Sequence, residues 1–424
     1  MPMSKAHFIG IGGIGVSAIA RMMLQEGKEV SGSDIAKSEI TDALVKLGAK
    51  IKIGHAAKNA RGADLVVYTP AAPKNNPELL EARRLKIPIF SYPEILGIIS
   101  RDKYTIAVSG AHGKTTTTAM IGKVLTDAGL SPSIIVGSLL KDAKSNFVAG
   151  KSDYLVVEAC EYKRSFLNIN PRVIIITNID NDHLDYYGTI DGVIKGFSEF
   201  ARKLGPNDYL ICNPKGKHIS AAIKSVKAKI IDYTKAPRDF KLKIPGEHNL
   251  DNAQAAFAAA KILKVPARTT KKSLENYAGV WRRFEYRGET KIGAAVYDDY
   301  GHHPTEIKAT LSAAREYFGK KKIFCVFQPH LFSRTKFLLD DFAKSFKDAD
   351  MVVLADIYAA REKDPGNISS GLLAKRLAGC RKNVIYLDSF KKISVFLTRE
   401  AKSDNVIITM GAGDIYKVGD LLLQ

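Results

Sequence analysis

Residues 110 to 116 have the composition of a phosphate-binding loop. They read Gly110-Ala111-His112-Gly113-Lys114-Thr115-Thr116. The loop follows a predicted buried strand, Tyr104 to Val108, and precedes a predicted helix. A lysine in such a loop neutralises terminal phosphates, and the next hydroxyl can hold Mg²⁺. Because Val108 stands where a standard Walker A sequence has its first glycine, this loop is shorter than usual. We predict phosphoryl chemistry here, which a plain hydride-transfer enzyme does not need.

Two further side chains that suit metal binding follow predicted strands. Glu158 ends the strand that begins at Tyr154, and His183 comes shortly after the strand Val173 to Thr177. The carboxyl ends of parallel strands meet at one edge of a sheet. Thr115, Glu158 and His183 could therefore share metal ions that bridge nucleotide phosphates and a second substrate. Taken singly these residues are ordinary, so their joint position carries the prediction.

A second glycine loop lies near the start of the chain. It reads Gly10-Ile11-Gly12-Gly13-Ile14-Gly15. Small residues between a strand and a helix let the backbone approach a diphosphate, whose charge the helix amides face. Asp34, at the end of the second predicted strand, is placed to contact a ribose. The pattern predicts a dinucleotide or nucleotide-sugar site. Alone it favours NAD, so an NAD-dependent oxidoreductase is the first alternative.

Polar loops also follow two predicted strands in the last third of the chain. One contains His302 and His303, and the other contains His330 and Arg334. The histidine pair suits either a structural polar loop or a site. Metal binding by the pair is disfavoured, because no further ligand lies at a characteristic spacing.

These residues need a scaffold in which strands and helices alternate, and the sequence has that pattern throughout. Alternation of this kind predicts α/β domains with parallel sheets. A length of 424 residues suits about three domains. We place them at 1–100, 101–290 and 291–424, with an alanine-rich helix at 252–263 and a linker at 279–287.

The charge and cysteine content narrow the class of protein. With 64 basic and 44 acidic residues the formal charge is +20, which suits nucleic acid, an anionic membrane or an acidic substrate. Acidic residues are interspersed even in the densest basic stretch, 215–243, which argues against a nucleic-acid tail or membrane arm. The four cysteines are far apart, and neither a membrane-spanning run nor a signal-peptide pattern is present. We expect a cytoplasmic protein without nucleic-acid binding or membrane insertion.

The motifs, taken in order, resemble the Mur ligase family over nearly the whole chain. The matching stretches begin at His7, Gly110, Glu158, Thr177, Gly246, Arg282, Asp298 and Phe327. The resemblance implies an N-terminal Rossmann-like UDP-binding domain, a central P-loop ATPase α/β domain and a C-terminal Rossmann-like domain that binds an amino acid. The glycine loop at Gly10 then becomes a UDP-sugar site instead of an NAD site.

The activity that the resemblance implies is an ATP-dependent amide ligation in peptidoglycan precursor synthesis. L-Alanine would be joined to the lactyl carboxylate of UDP-N-acetylmuramate through an acyl phosphate and a tetrahedral intermediate. Two anions repel, so cations must screen the first step. ATP and two Mg²⁺ ions are the implied cofactors, and the chain would be a monomer or a weak homodimer.

The resemblance also implies roles for matching positions. Catalytic residues would be Lys114, Glu158, His183 and Arg283. The ATP contacts would be residues 110–116, Asn249, Arg283 and Asp299. The UDP-sugar contacts would be Gly10, Gly12, Gly13, Ile14, Gly15, Asp34 and Asn178. The amino-acid contacts would be His302, His303, His330 and Arg334. The metal ligands would be Thr115, Glu158 and His183.

Three points separate this chain from parts of the family. Residues 158–164 read Glu-Ala-Cys-Glu-Tyr-Lys-Arg where many members are acid-rich, and Leu331 stands where many have arginine. Lys203 aligns poorly with the lysine that is carbamylated in some members, and we predict no such modification. The alternatives are a tripeptide-adding ligase of the same family and a basic nucleic-acid ATPase. The stretch 327–330, Phe-Gln-Pro-His, favours the alanine enzyme.

Overall fold

The computed structural model describes residues 4–360, 362–380 and 383–424. They form a mixed α/β fold with three sheets, which confirms the predicted fold class. The chain groups into two compact units: unit one is formed by residues up to 241 with 251–278, and unit two by 242–250 with 279–424. The domain boundaries predicted at 100 and 290 stay predictions. No helix in the described part of the chain is long and apolar enough to cross a bilayer.

The first sheet of unit one carries the N-terminal glycine loop. Its strands are β1 Lys5–Ile9, β2 Glu29–Asp34, β3 Lys50–Ile53, β4 Leu65–Tyr68 and β5 Ile89–Ser91. Its helices are α1 Ile14–Gln25, α2 Glu39–Lys46, α3 Pro77–Arg84 and α4 Tyr92–Ser100, with a 3₁₀ helix at Ala57–Ala60. The strands are parallel in the order β3-β2-β1-β4-β5. This order places the ends of β1 and β2 side by side, and with them the glycine loop and Asp34.

The second sheet of unit one carries the phosphate loop. Its strands are β6 Tyr104–Ser109, β7 Ser133–Leu140, β8 Ser145–Val148, β9 Tyr154–Glu158, β10 Val173–Ile176, β11 Tyr209–Cys212 and β12 Lys229–Asp232. The helices of this region are α5 Lys114–Asp127, α6 Leu184–Tyr187, α7 Ile190–Ala201, α8 Ile219–Ala222, α9 Glu247–Ile262 and α10 Ala267–Glu275, with 3₁₀ helices at Tyr162–Asn168 and Tyr233–Lys235. The first four residues of α9, 247–250, are grouped with unit two. The order is β12-β11-β10-β6-β9-β7-β8, and β8 alone among these strands runs antiparallel to its neighbour. Because β6 lies between β10 and β9, the three segments that follow them meet at one edge.

The sheet of unit two has six strands. They are β13 Glu285–Glu289, β14 Ala295–Asp299, β15 Ile323–Phe327, β16 Met351–Leu354, β17 Val384–Tyr386 and β18 Val406–Met410. Its helices are α11 Pro304–Phe318, α12 Phe332–Phe337, α13 Leu339–Ala343, α14 Ser370–Ala378, α15 Phe390–Glu400 and α16 Tyr416–Leu422. The order is β13-β14-β18-β15-β16-β17, with only the edge strand β13 antiparallel. Every residue of β15 and β18 is buried, as expected for central parallel strands.

One prediction of local structure is wrong. Residues 279–287 were expected to be a linker, but Glu285–Glu289 forms β13 and pairs with β14. The pairing register shifts between Tyr286 and Gly288. A bulge of this kind, with a glycine in the strand, removes the regular alternation by which a strand is detected in sequence.

Candidate active site

The phosphate loop turns from β6 into α5 through two glycines with positive φ. Gly110 has φ 139° and Gly113 has φ 82°. The side-chain amide of Asn178 accepts a hydrogen bond from the His112 N–H (2.9 Å) and donates one to the His112 carbonyl (3.0 Å). The loop is therefore held in shape by the segment after β10. The prediction that Asn178 contacts the UDP-sugar stays a prediction.

Lys114 is held by acceptors inside the loop and by a buried carboxylate. Its Nζ donates to the Gly110 carbonyl (2.6 Å), the Ala111 carbonyl (3.0 Å) and Glu161 Oε1 (2.9 Å). Burial acts to lower the pKa of Lys114, but Glu161, Cys160 and Glu158 together outweigh it and raise that pKa above its ordinary value. The ammonium is thus charged at neutral pH and lies at the loop that we predict to bind phosphates.

Two of the three predicted metal ligands touch each other. Thr115 Oγ1 donates to Glu158 Oε1 (3.1 Å), and the backbone N–H of Gly137 donates to Glu158 Oε2 (2.7 Å). Gly137 lies in β7, next to the strand that Glu158 ends. A hydroxyl beside a carboxylate is an oxygen donor set of the kind that Mg²⁺ prefers.

Gly137→Ala should displace Glu158. An added Cβ would lie 2.7 Å from Glu158 Oε2, which is closer than real Cβ atoms approach. Loss of a group that orients a metal ligand typically weakens metal binding, so we expect the Mg²⁺ concentration for half-maximal phosphate release to rise about tenfold. Gly205→Ala is the matched control, because its nearest neighbour would be at an ordinary 3.4 Å. An unchanged Mg²⁺ requirement in Gly137→Ala would contradict the role of Glu158.

The third predicted ligand, His183, lies beside a residue that the sequence interpretation did not select. His183 Nε2 is 3.6 Å from Glu161 Oε1 and 3.6 Å from Asp182 Oδ2. One ligand atom from each of these three residues lies within 4.8 Å of the others. Glu161 is 2% exposed, and its Oε2 has no hydrogen-bond partner among the described residues. A buried carboxylate oxygen without a partner fits a divalent cation bound here.

Asn252 is a second residue at the loop that sequence reasoning missed. Its Oδ1 accepts from Thr117 Oγ1 (3.0 Å), and a Cβ on Gly113 would lie 2.5 Å from the same oxygen. Asn249, predicted to face adenine, donates its Nδ2 to the Pro245 carbonyl (2.7 Å). The only sequence signal for Asn252 was its place one helical turn after Asn249.

The N-terminal glycine loop is braced by Asp34 and by the second sheet of unit one. Asp34 Oδ2 accepts from the Gly12 N–H (2.8 Å). Asn146, in β8, donates its Nδ2 to the Ile14 carbonyl and to Ser17 Oγ (2.8 Å). Asn146 is 1% exposed, so the start of α1 is fixed by a buried contact. The structure thus brings the predicted UDP-sugar residues 10–15 and Asp34 together.

Adjacent arginines in unit two have different environments. Arg282 is buried; its Nε donates to Asp298 Oδ2 (2.6 Å), and its two NH₂ groups donate to the carbonyls of Gly413 and Gly411. Arg283 is more exposed, and its Nη1 is 3.6 Å from Glu306 Oε1. Arg282 is therefore built into the fold, while the Arg283 side chain is 27% exposed and lies over the Tyr300 ring.

Asp299 is a buried acid with a raised pKa. Its oxygens accept from the Phe284 N–H (2.8 Å) and the Gly301 N–H (2.7 Å). Burial raises its pKa to about 6, although Arg283 and these hydrogen bonds act in the opposite direction.

The stability of the ligand-free protein should depend on Asp299 between pH 5 and 7. Because its folded pKa lies above the unfolded value, the native state binds the proton more tightly, and this stabilisation is lost as pH rises through about 6. We expect the free energy of unfolding to fall by about 1 kcal/mol more in the wild type than in Asp299→Asn between pH 5 and 7. Urea denaturation at both pH values measures the difference. Parallel pH dependence in the two proteins would contradict the raised pKa.

The predicted amino-acid residues separate into a cluster and a helix cap. The His302 and His330 rings lie 5.6 Å apart, and Arg334 Nη1 donates to His330 Nδ1 (3.1 Å). His303 is 3% exposed and caps α11, accepting from the Thr305 N–H (3.3 Å). The structure thus brings three of the four together. It gives His303 a structural contact, and the binding role of all four stays a prediction.

Residues missed by sequence reasoning border this cluster. The ring of Tyr358 stacks on His330, with centroids 5.7 Å apart. Gly413 lies against Tyr358 and Gln328, because a Cβ there would be 2.7 Å from the Tyr358 ring and 2.5 Å from Gln328 Oε1. The available signal was the pair of glycines, Gly411 and Gly413, immediately after β18.

Comparison with known proteins defines the class to which this fold and site belong. Residues 5–104 match the Mur ligase family, catalytic domain, residues 108–239 match the Mur ligase middle domain, and residues 282–413 match the Mur ligase, glutamate ligase domain. The chain belongs to the Mur ligase family, as its motifs predicted.

The relatives narrow the class further. The chain is 44% identical to the UDP-N-acetylmuramate--L-alanine ligase of Clostridium tetani, over 100% of this chain and 98% of the relative. It is 42% identical to the ligase of the same name from Acetivibrio thermocellus, over 99% and 95%. The fold is similar to the crystal structure of UDP-N-acetylmuramate-alanine ligase from Thermotoga maritima, with a TM-score of 0.81. The two sequences are 29% identical, and the match covers 98% of this chain and 97% of that one.

Proposed function

We propose that this chain is an ATP-dependent ligase that joins L-alanine to the lactyl carboxylate of UDP-N-acetylmuramate. The observation that carries the proposal is the joint position of charged Lys114 and the Thr115–Glu158 pair in one loop region, in a chain similar over its full length to ligases of that name. The product would be a precursor of peptidoglycan.

The phosphate loop is the proposed ATP site. Residues 110–116 supply backbone amides and the Lys114 ammonium to the phosphates. Asn249, Arg283 and Asp299 are the further proposed ATP contacts. Two Mg²⁺ ions are the proposed metals. Thr115 and Glu158 would hold one, and His183 would hold the other. They would supply charge neutralisation of the phosphates.

The two other substrates are assigned mainly to the other two sheets, with Asn178 as the one residue from the phosphate-loop sheet. The glycine loop 10–15 with Asp34, and Asn178, are proposed to bind UDP-N-acetylmuramate through its diphosphate and ribose. His302, His303, His330 and Arg334 are proposed to surround L-alanine, with the Arg334 guanidinium pairing with the carboxylate. Because Leu331 stands where many family members have an arginine, Arg334 is the arginine in this loop that can bind the carboxylate.

Two displacements complete the proposed reaction. A lactyl carboxylate oxygen attacks the γ-phosphorus, the bond to the β–γ bridging oxygen breaks, and ADP leaves. The alanine amine then attacks the acyl carbon and loses a proton, and the tetrahedral intermediate collapses with release of phosphate. Lys114 and Arg283 offset the repulsion between carboxylate and phosphate, and binding all three substrates converts the second step into an intramolecular one.

Partners and location follow from the same proposal. Both nucleotide substrates are polyanions, which suits a chain of formal charge +20. We propose a cytoplasmic monomer or weak homodimer that binds no nucleic acid.

The alternative from the same family is addition of a preformed tripeptide. The murein peptide ligase of Psychrobacter arcticus shares the fold, with a TM-score of 0.73, but at 23% identity.

Phosphate release measured with defined substrates tests the proposal. ATP, Mg²⁺ and UDP-N-acetylmuramate are supplied with L-alanine, glycine, L-serine or a tripeptide in turn. We expect L-alanine to give the highest kcat/KM. A preference for the tripeptide would replace the proposal by the alternative, and no stimulation by any acceptor above the sugar-only rate would reject ligation.

A further inference from the structure

Glu161 is the most deeply buried carboxylate at the phosphate loop, and neither of the two proposed displacements requires it. One of its oxygens, Oε1, accepts from Lys114 Nζ at 2.9 Å and lies 3.6 Å from His183 Nε2. The other, Oε2, is buried without a hydrogen-bond partner in the described parts of the chain. A buried charged oxygen is costly unless something pairs with it during function.

The backbone around Glu161 is fixed without its carboxylate. The Glu161 carbonyl accepts from the Tyr187 hydroxyl (2.6 Å) and from the Arg164 N–H (2.9 Å). The next turn is anchored by Phe166, fully buried and stacked on Phe200 with centroids 4.4 Å apart. Holding the segment in place therefore does not require the Glu161 side chain.

The Lys114 ammonium cannot keep all of its hydrogen bonds to the protein and also bind the phosphates of a nucleotide. Within the described parts of the chain its ammonium has three acceptors, namely two loop carbonyls and Glu161. Phosphate oxygens must compete with them for the ammonium protons. The Glu161 charge also repels an incoming phosphate, so in the absence of a cation this carboxylate opposes nucleotide binding.

We propose that Glu161 has two partners in turn: Lys114 in the resting site, and the divalent cation next to His183 when nucleotide is bound. The inference rests on the proposed function for the identity of the site. Cation binding at Glu161 and His183 would draw the carboxylate away from Lys114, and the freed ammonium would turn to the phosphates. Glu161 is thus a positioning residue for Lys114 as well as a metal ligand, and it makes nucleotide binding dependent on metal.

The proposal predicts opposite changes in two binding constants for Glu161→Gln. Without metal, in EDTA, a non-hydrolysable ATP analogue should bind about five- to tenfold more tightly than to the wild type, because Lys114 is released and a negative charge is lost. With the analogue bound, one Mn²⁺ ion should bind about tenfold more weakly, because an anionic ligand is missing. Calorimetry measures the first constant, and Mn²⁺ paramagnetic resonance measures the second.

Asp191→Asn is the matched control, since it removes one exposed negative charge from the same unit, at the start of α7. It should change neither constant more than about twofold. If Glu161→Gln does not fold, Glu161→Asp shortens the reach to both partners and should give the same two shifts at smaller size. Two unchanged constants, or two that weaken together, would overturn the inference. Phosphate release by the wild type with UDP-N-acetylmuramate and L-alanine is scored separately, so failure of the proposed function is distinguishable.

Discussion

Lys114→Ala is expected to lower kcat for phosphate release by at least about a thousandfold while UDP-N-acetylmuramate still binds. The ammonium of Lys114 is the positive side chain that the structure places inside the phosphate loop, 2.9 Å from Glu161. Groups that stabilise charge on a transferring phosphoryl commonly contribute rate factors of about 10³. The glycine loop that we assign to the UDP-sugar belongs to a different sheet, so its affinity should change less than about twofold.

Lys123→Ala is the control for this experiment. Lys123 lies on the same helix, where its ammonium pairs with Asp127 four residues on. Its replacement should leave kcat within about twofold, since surface ion pairs contribute little. Loss of UDP-sugar binding in Lys114→Ala, measured by calorimetry, would mean that the two nucleotide sites are not separate. Retention of turnover would contradict the role of the loop.

Arg282→Met is expected to lower the free energy of unfolding of unit two by about 3–5 kcal/mol, because it leaves the buried Asp298 carboxylate without its charged partner. It also removes donors from the Gly411 and Gly413 carbonyls and a cation that lies 4.7 Å from the Tyr416 ring centroid. Trp281 is the chain's single tryptophan and sits next to the change, so its fluorescence in urea reports the loss.

Arg283→Met separates the two neighbours. Its side chain is partly exposed and 3.6 Å from Glu306, so we expect less than about 1 kcal/mol of destabilisation. The value of kcat/KM for ATP should instead fall by about a hundredfold, as expected for a lost phosphate contact. Equal destabilisation by both changes would contradict the distinction, as would full activity of Arg283→Met.

Strand-end residues were the part of the site that could be predicted from sequence. Thr115 follows β6 and Glu158 ends the neighbouring strand β9, and a parallel sheet brings such ends together whatever the details of packing. For the same reason residues 10–15 and Asp34 meet at the edge of the first sheet. The alternation of strands and helices likewise sufficed to predict the fold class.

Residues placed by irregular backbone could not be predicted. Glu161 reaches Lys114 from a segment in which Lys163 and Arg164 both have positive φ. Lysine and arginine rarely adopt this conformation, so the sequence does not predict it. Arg283 lies between Arg282 and Phe284, which both have positive φ. Both arginines look alike in sequence, and only the packing of Asp298 and the Gly411–Gly413 carbonyls against one of them separates their roles.

Transfer of oxygen from the lactyl carboxylate to the released phosphate is the direct test of the proposed acyl-phosphate intermediate. UDP-N-acetylmuramate labelled with ¹⁸O in its lactyl carboxylate is incubated with ATP, Mg²⁺, L-alanine and the wild-type protein, and the released phosphate is analysed by mass spectrometry. We expect one ¹⁸O atom in each phosphate, because a carboxylate oxygen bonds to the γ-phosphorus and stays with it when the amide forms. Phosphate without label, formed together with UDP-N-acetylmuramoyl-L-alanine, would contradict the acyl-phosphate route.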